Sequence, residues 1–343
     1  MAGIRGRDAF LFAFVLMLIS ESITDFITGA TPVLPGPLLL FILIPILPLF
    51  VGLGLVLVRE VALRWHKGWV SILVLGGALG LIREGLFDKV IFAPASFASV
   101  GYYGTYGHWL GVNWVLAVLA FLSEAPLSCA IPLFLASNLF PRFNDVPLLP
   151  GRRIWVALAA FAVVVALLYV YIPSPTTPPL NPAAFIYSPP LVDVLAVIVA
   201  VAVCAYVAWK TPSDAPRPLA QRPGNAGRAA AGLIGLTFSG GVLLLGGPLA
   251  QVVPWPQVLI LALLVLGLGT LFVLRRSLGR EDNTGRLAAL TVGALAPYCI
   301  IAAFLTAGGD FGALPLALLL VALAVYVGRR ELLPEKADVK SSP

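Results

Sequence analysis

The sequence is short of charge. Asp, Glu, Lys and Arg make up 11% of its 343 residues, where a soluble chain carries about 25%. That deficit excludes a water-exposed globular surface over most of the chain. Histidine is nearly absent, with 2 residues, and cysteine is scarce, with 3. Cys129, Cys204 and Cys299 all lie in apolar runs, and no Cys-x-x-Cys occurs. Three thiols cannot build a disulfide framework, so they read as small packing residues. No metal centre is expected, and the sequence names no cofactor. The glycine-rich stretches LGGALG (75–80) and SGGVLLLGG (239–247) lack the Gly-Lys-Ser/Thr ending of a phosphate loop. They read as close helix packing by small residues.

What the chain does have is apolar length. Apolar residues are 60% of the total and the mean hydropathy is +0.99. Runs of about 20 apolar residues, enough to cross the hydrocarbon layer, recur from end to end. The expected fold is all-α, a polytopic bundle of about ten transmembrane helices. The spans read as 9–28, 37–58, 69–92, 113–140, 153–172, 191–209, 229–248, 256–274, 287–307 and 313–328. The first resembles a signal peptide in its basic start at Arg5 and Arg7. No small-residue cleavage site closes it, so it reads as a retained helix.

A net charge of +6 and a pI near 9.4 would fit nucleic acid. The position of the charges argues against that partner. With the N-terminus inside, 20 of the 22 Lys and Arg fall in cytoplasmic segments; only Arg83 and Lys89 do not. This is the positive-inside pattern. It predicts a multi-pass protein of the cell membrane with both termini cytoplasmic and the lipid bilayer as its main partner. The outer segments 29–37 and 173–190 are uncharged and proline-rich, hence stiff linkers. The outer segment 93–114 carries Tyr102, Tyr103, Tyr106, Trp109 and Trp114, an interfacial aromatic belt.

The halves differ. Residues 1–140 (spans 1–4) hold nearly all the ionisable side chains at membrane depth; residues 141–343 (spans 5–10) read as apolar scaffold. Glu21 and Asp25 lie four apart, so on one helical face of the first span. Arg83 and Glu84 lie ~20 Å along the third span from Trp69. Glu124 lies near mid-depth of the fourth. Four carboxylates against one guanidinium that stays protonated require pairing, hydration, protonation or a bound cation. Pro126, two residues after Glu124, is placed to free backbone carbonyls near it. Asp88 and Lys89 sit near the outer end of the third span. His66 and His108 read as interfacial residues, and Asp193 as a helix start.

RE..LRWHKGW (59–69), REGL (83–86) and YG..LGVNW (106–114) resemble a family of uncharacterised prokaryotic polytopic membrane proteins. The likeness covers about a third of the chain and implies no established activity. In that pattern a Glu-Glu pair stands where this chain has Arg83-Glu84, and a His where it has Glu124. A Glu-Glu pair with membrane histidines would be similar, distantly, to the CAAX-type intramembrane proteases. This chain has one Glu at the pair and no His inside a span.

Three functions stay open. The first is a carrier or permease for a small solute, coupled to protons or another cation, with Glu21, Arg83, Glu84 and Glu124 as the site and Asp25 as an outer relay. The second is an intramembrane enzyme on a lipid or lipid-linked substrate, with Glu84 or Glu124 as general base. The third is a non-catalytic membrane subunit, in which the polar residues serve assembly.

Overall fold

Apolar runs of this length fold as helices because, without water, each backbone N–H and C=O must find its partner inside the segment. A computed structural model describes residues 6–27, 51–92, 106–171, 189–212, 225–277, 283–309 and 311–330. Its helices, in chain order, begin with α1 (Gly6–Glu21), α2 (Leu53–Arg64) and α3 (Trp69–Ile82). Next come α4 (Trp114–Glu124), α5 (Ile131–Leu139), α6 (Arg153–Tyr171) and α7 (Leu191–Lys210). The last are α8 (Asn225–Gly246), α9 (Pro248–Val252), α10 (Pro256–Ser277), α11 (Asn283–Ala307) and α12 (Ala313–Arg330). The fold is an all-α bundle with one small antiparallel hairpin, β1 (His108–Trp109) and β2 (Val112–Asn113).

Seven helical segments are long and apolar enough to cross a membrane: 69–87, 114–139, 153–170, 191–210, 227–252, 256–275 and 284–307. They coincide with the third to ninth spans read from the sequence. The stretch read as the tenth span holds the shorter apolar helix α12, and the stretch read as the first holds α1 and one π turn. Residues 37–50 of the second span, the outer segment 29–37 and Asp310 lie outside the described residues, as do most of the outer segment 173–190 and residues 93–105. One boundary needs correction. The sequence pattern ends the second span at residue 58 and assigns Arg59 to a cytoplasmic segment. Helix α2 instead runs on to Arg64, with Arg59 and Glu60 both buried. A charged pair can stay in the helix here because each side chain finds partners across the bundle, as described below.

Two helical groups make the body. Helix α11 packs between α8 and α12, and α3 packs between α7 and α4. Helix α10 joins the groups by touching both α4 and α8, while α1 packs on α5. The largest buried cluster draws Phe12, Leu16, Leu55, Leu135, Leu295 and Leu320 from five helices. Helices α6, α7 and α10 sit at the periphery and turn Val163, Val199, Leu261 and Leu268 outward. A helix apolar on its outer face suits lipid as its solvent.

The glycines of LGGALG allow a close approach between helices. A Cβ at Gly80 would lie 2.5 Å from Cβ of Glu124 and 2.9 Å from the Ala120 carbonyl. One at Gly76 would lie 2.7 Å from Cβ of Cys129. These bare positions let α3 rest directly on α4 and the turn after it, which is the packing role expected of them. Gly80→Ala should therefore cost about 1–3 kcal/mol by overpacking. Gly269→Ala, where a Cβ meets nothing within 4 Å, should stay within about 0.5 kcal/mol. Unfolding in mild detergent compares the two, and equal effects would refute the close-packing account.

Candidate functional site

Three helices depart from α geometry at the level of the polar residues. α1 continues as a π-helical turn over Ser22–Ile27, α3 as one over Arg83–Phe87, and α4 as one over Ala125–Ala130. Such widened turns inside helices occur often at functional sites. The turn in the fourth span has a local cause. Pro126 and Pro132 carry no N–H, so the carbonyls of Leu122 and Ser128 lose their ordinary donors four residues on. The Ser20 hydroxyl, on α1, donates to the Ser128 carbonyl at 2.8 Å and fills that gap. The carbonyl opened in this way is freed by Pro132, not by the Pro126 that the sequence singles out.

The π turn in the third span decides what Arg83 touches. Its five-residue closure bonds the Asp88 amide to the Arg83 carbonyl at 2.8 Å. This brings the Asp88 carboxylate within 3.6 Å of Arg83 Nε. Glu84 lies 3.9 Å from the same nitrogen, and Glu124 lies 3.6 Å from Arg83 Nη1. Contacts of this length are ion pairs rather than close hydrogen bonds. One buried guanidinium therefore faces three carboxylates. Their side-chain exposure rises from 13% at Glu124 to 24% at Glu84 and 28% at Asp88, so the cluster is graded from buried to wet.

Glu124 has further fixing. Ser128 Oγ donates to its Oε2, and Gly80 backs its Cβ. Tyr298 on α11 and Cys129 in the π turn are both buried. Ser20 donates to the Ser128 carbonyl, the Ser128 hydroxyl donates to Glu124, and Glu124 pairs with Arg83, so these contacts link α1, the fourth span and the third. Glu21 is buried in α1, one residue after Ser20. Asp25 lies in the adjoining π turn.

Of the residues singled out from the sequence, the structure brings Arg83, Glu84 and Glu124 into direct ion-pair range. Asp88, Ser20, Ser128 and Tyr298 were not assigned to the site. Ser128 stood four residues after Glu124 in the sequence, which is a legible signal. Asp88 required the π turn, which periodicity does not reveal. His108 Nε2 lies 3.3 Å from the Phe92 carbonyl, and Asp193 sits in the first turn of α7. His66 is exposed in the α2–α3 turn with φ of 52°.

A second polar network lies at the opposite, arginine-rich end. Arg59 Nη1 bonds Glu60 Oε1 at 2.8 Å. Its Nη2 donates to the carbonyls of Phe143 and of Val146, the latter at 3.1 Å. Glu60 accepts from the amides of Leu148 at 2.8 Å and Leu149 at 3.2 Å. The guanidinium also rests over the Phe12 ring, 5.2 Å from its centroid. The pair therefore ties the α5–α6 connection and α1 to α2. Nearby, Lys67 Nζ donates to the Thr211 carbonyl at 2.6 Å, at the end of α7.

An apolar cavity of about 570 Å³ runs between α3, α4, α7, α8, α10 and α11. Trp69 lines one end and Trp114 the other, with Leu73, Phe121, Ala125 and Leu271 between.

Fold and sites together define a multi-pass helical membrane protein with a buried arginine–carboxylate cluster. No protein-family model matches the chain, and no curated protein or solved structure matches it either.

Proposed function

We propose that this chain is a proton-coupled carrier of a small solute in the cell membrane, built from ten spans with both termini in the cytoplasm. Arg83, Glu84 and Glu124, with Glu21 alongside, form its site, and Asp25 serves as an outer relay. The carrying observation is the single guanidinium placed among three carboxylates. Beyond Arg83 and Lys89 the sequence supplies no Lys or Arg outside its cytoplasmic segments. Three partly buried carboxylates gathered around one guanidinium disfavour full ionisation together, so a proton resides on the cluster in at least one state. Arg83 already occupies the place a bound cation would take, which favours the proton as the coupling ion. Losing or gaining a proton changes which carboxylate holds Arg83, and that exchange is what coupling needs. The graded exposure from Asp88 to Glu124 supplies an entry route.

The test is thermal unfolding across a pH series, with Glu84→Gln and Glu124→Gln beside wild type. Wild type should shift its midpoint between neutral and acidic buffer, and both variants should lose most of that shift. Parallel curves for all three proteins would sink the reading. Solute-driven acidification of proteoliposomes should then vanish in Glu84→Gln.

The apolar cavity favours a second reading, an intramembrane enzyme acting on a lipid-like substrate. Ala125 and Pro126, next to Glu124 in the chain, line it. In that case Glu124→Gln would abolish turnover of a lipid substrate and leave proton movement unaffected.

A further inference from the structure

The arginine-rich end carries a second cavity, of about 470 Å³, between α8, α11 and α12. Arg228 and Arg329 line its rim, and Gly232, Leu236, Ala289 and Val292 line its floor. The two helices that frame it begin alike. α8 opens with Asn225-Ala226-Gly227-Arg228, and α11 with Asn283-Thr284-Gly285-Arg286. They run side by side in parallel, Gly232 meeting Ala289 and Gly235 meeting Leu290 further in.

This pairing concentrates positive charge. Each arginine lies across the other helix's glycine. A Cβ at Gly285 would sit 2.8 Å from Arg228 Nε, and one at Gly227 would sit 3.2 Å from Arg286 Nε. Two guanidiniums are therefore held side by side at the amino ends of two long helices, where the backbone dipoles add further positive potential. Arg329 adds a third. Charge below this rim is absent: the floor residues are glycine and aliphatic side chains only. A cationic rim above an apolar slot matches a molecule with an anionic head and a hydrocarbon tail.

We infer that this cavity binds an anionic phospholipid. The phosphate sits between Arg228 and Arg329, with Arg286 beside Gly227 adding positive potential, and an acyl chain lies along Gly232, Leu236 and Ala289. Basic pockets between helices at the cytoplasmic face take such headgroups, and the charge pattern of the sequence places this end in the cytoplasm. A free anion would use the rim alone and leave the slot unexplained.

The test uses purified full-length protein in mild detergent, titrated separately with phosphatidylglycerol, phosphatidylcholine and inorganic phosphate. Unfolding midpoint and retained lipid adducts by native mass spectrometry are the readouts. Phosphatidylglycerol should raise the midpoint by mass action and give a retained adduct; the other two should not. Arg228→Gln with Arg286→Gln should weaken the phosphatidylglycerol response about fivefold for each arginine removed. The corresponding lysine variants should keep most of it. If the glutamine double variant does not fold, Arg329→Gln and the lysine pair carry the comparison. Phosphatidylcholine acting as well as phosphatidylglycerol would overturn the inference. So would inorganic phosphate giving the full effect, or a glutamine variant that responds like wild type.

Discussion

Replacing Arg83 with leucine should destabilise the protein by about 3–5 kcal/mol, the range for removing one partner of a buried charge set. The reason is the geometry of the cluster. Arg83 is 6% exposed and faces Glu84, Asp88 and Glu124 at 3.6–3.9 Å. Without it these carboxylates repel one another in a poorly solvated site. The loss should shrink in acidic buffer, because protonated carboxyls need no counter-charge; the sign follows from the carboxylates being the groups left behind. A second substitution, Glu124→Gln, should recover part of the loss at neutral pH, so the double variant is less damaged than the sum of the two. Chemical unfolding in mild detergent at two pH values measures all of this. An Arg83→Leu variant within about 1 kcal/mol of wild type, the worth of an exposed pair, would show that the cluster is solvated rather than buried, and would remove the basis for proton coupling.

The other large effect is expected at Glu60. This carboxylate is fully buried and does three things at once: it pairs with Arg59 and accepts from the amides of Leu148 and Leu149. Glu60→Ala leaves the buried Arg59 charge without this carboxylate and two amides without an acceptor, again about 3–5 kcal/mol. Glu60→Gln keeps an acceptor oxygen and should fall between. Because the amides belong to the α5–α6 connection, the damage should be local first. Amide hydrogen exchange should quicken around residues 143–149 before the rest of the bundle opens. Unchanged exchange there in Glu60→Ala would contradict the anchoring role. The same network explains why a charged pair stays inside α2: beyond pairing with each other, Arg59 and Glu60 bond backbone groups more than eighty residues away in sequence.

Much of the architecture follows from the sequence by itself. The apolar runs from Trp69 to Ala307 became helices close to the expected limits, since in lipid only a helix satisfies its own backbone. Glycines in LGGALG could be read as contact points, because little besides close packing explains bare residues inside a span. Glu84, Arg83 and Glu124 could be singled out by cost alone, as charge at membrane depth demands a partner. Periodicity gives depth along a helix but neither rotation nor local widening, so tertiary structure decided the rest. The π turn at Arg83–Phe87 brought Asp88 into the cluster. Pro132 opened the Ser128 carbonyl to Ser20 on another helix. Arg59 and Glu60 looked like the polar end of a span, and only the fold of the α5–α6 connection over them made them core. Each of these depends on which distant segment arrives at a given face, and that is set by the packing of whole helices.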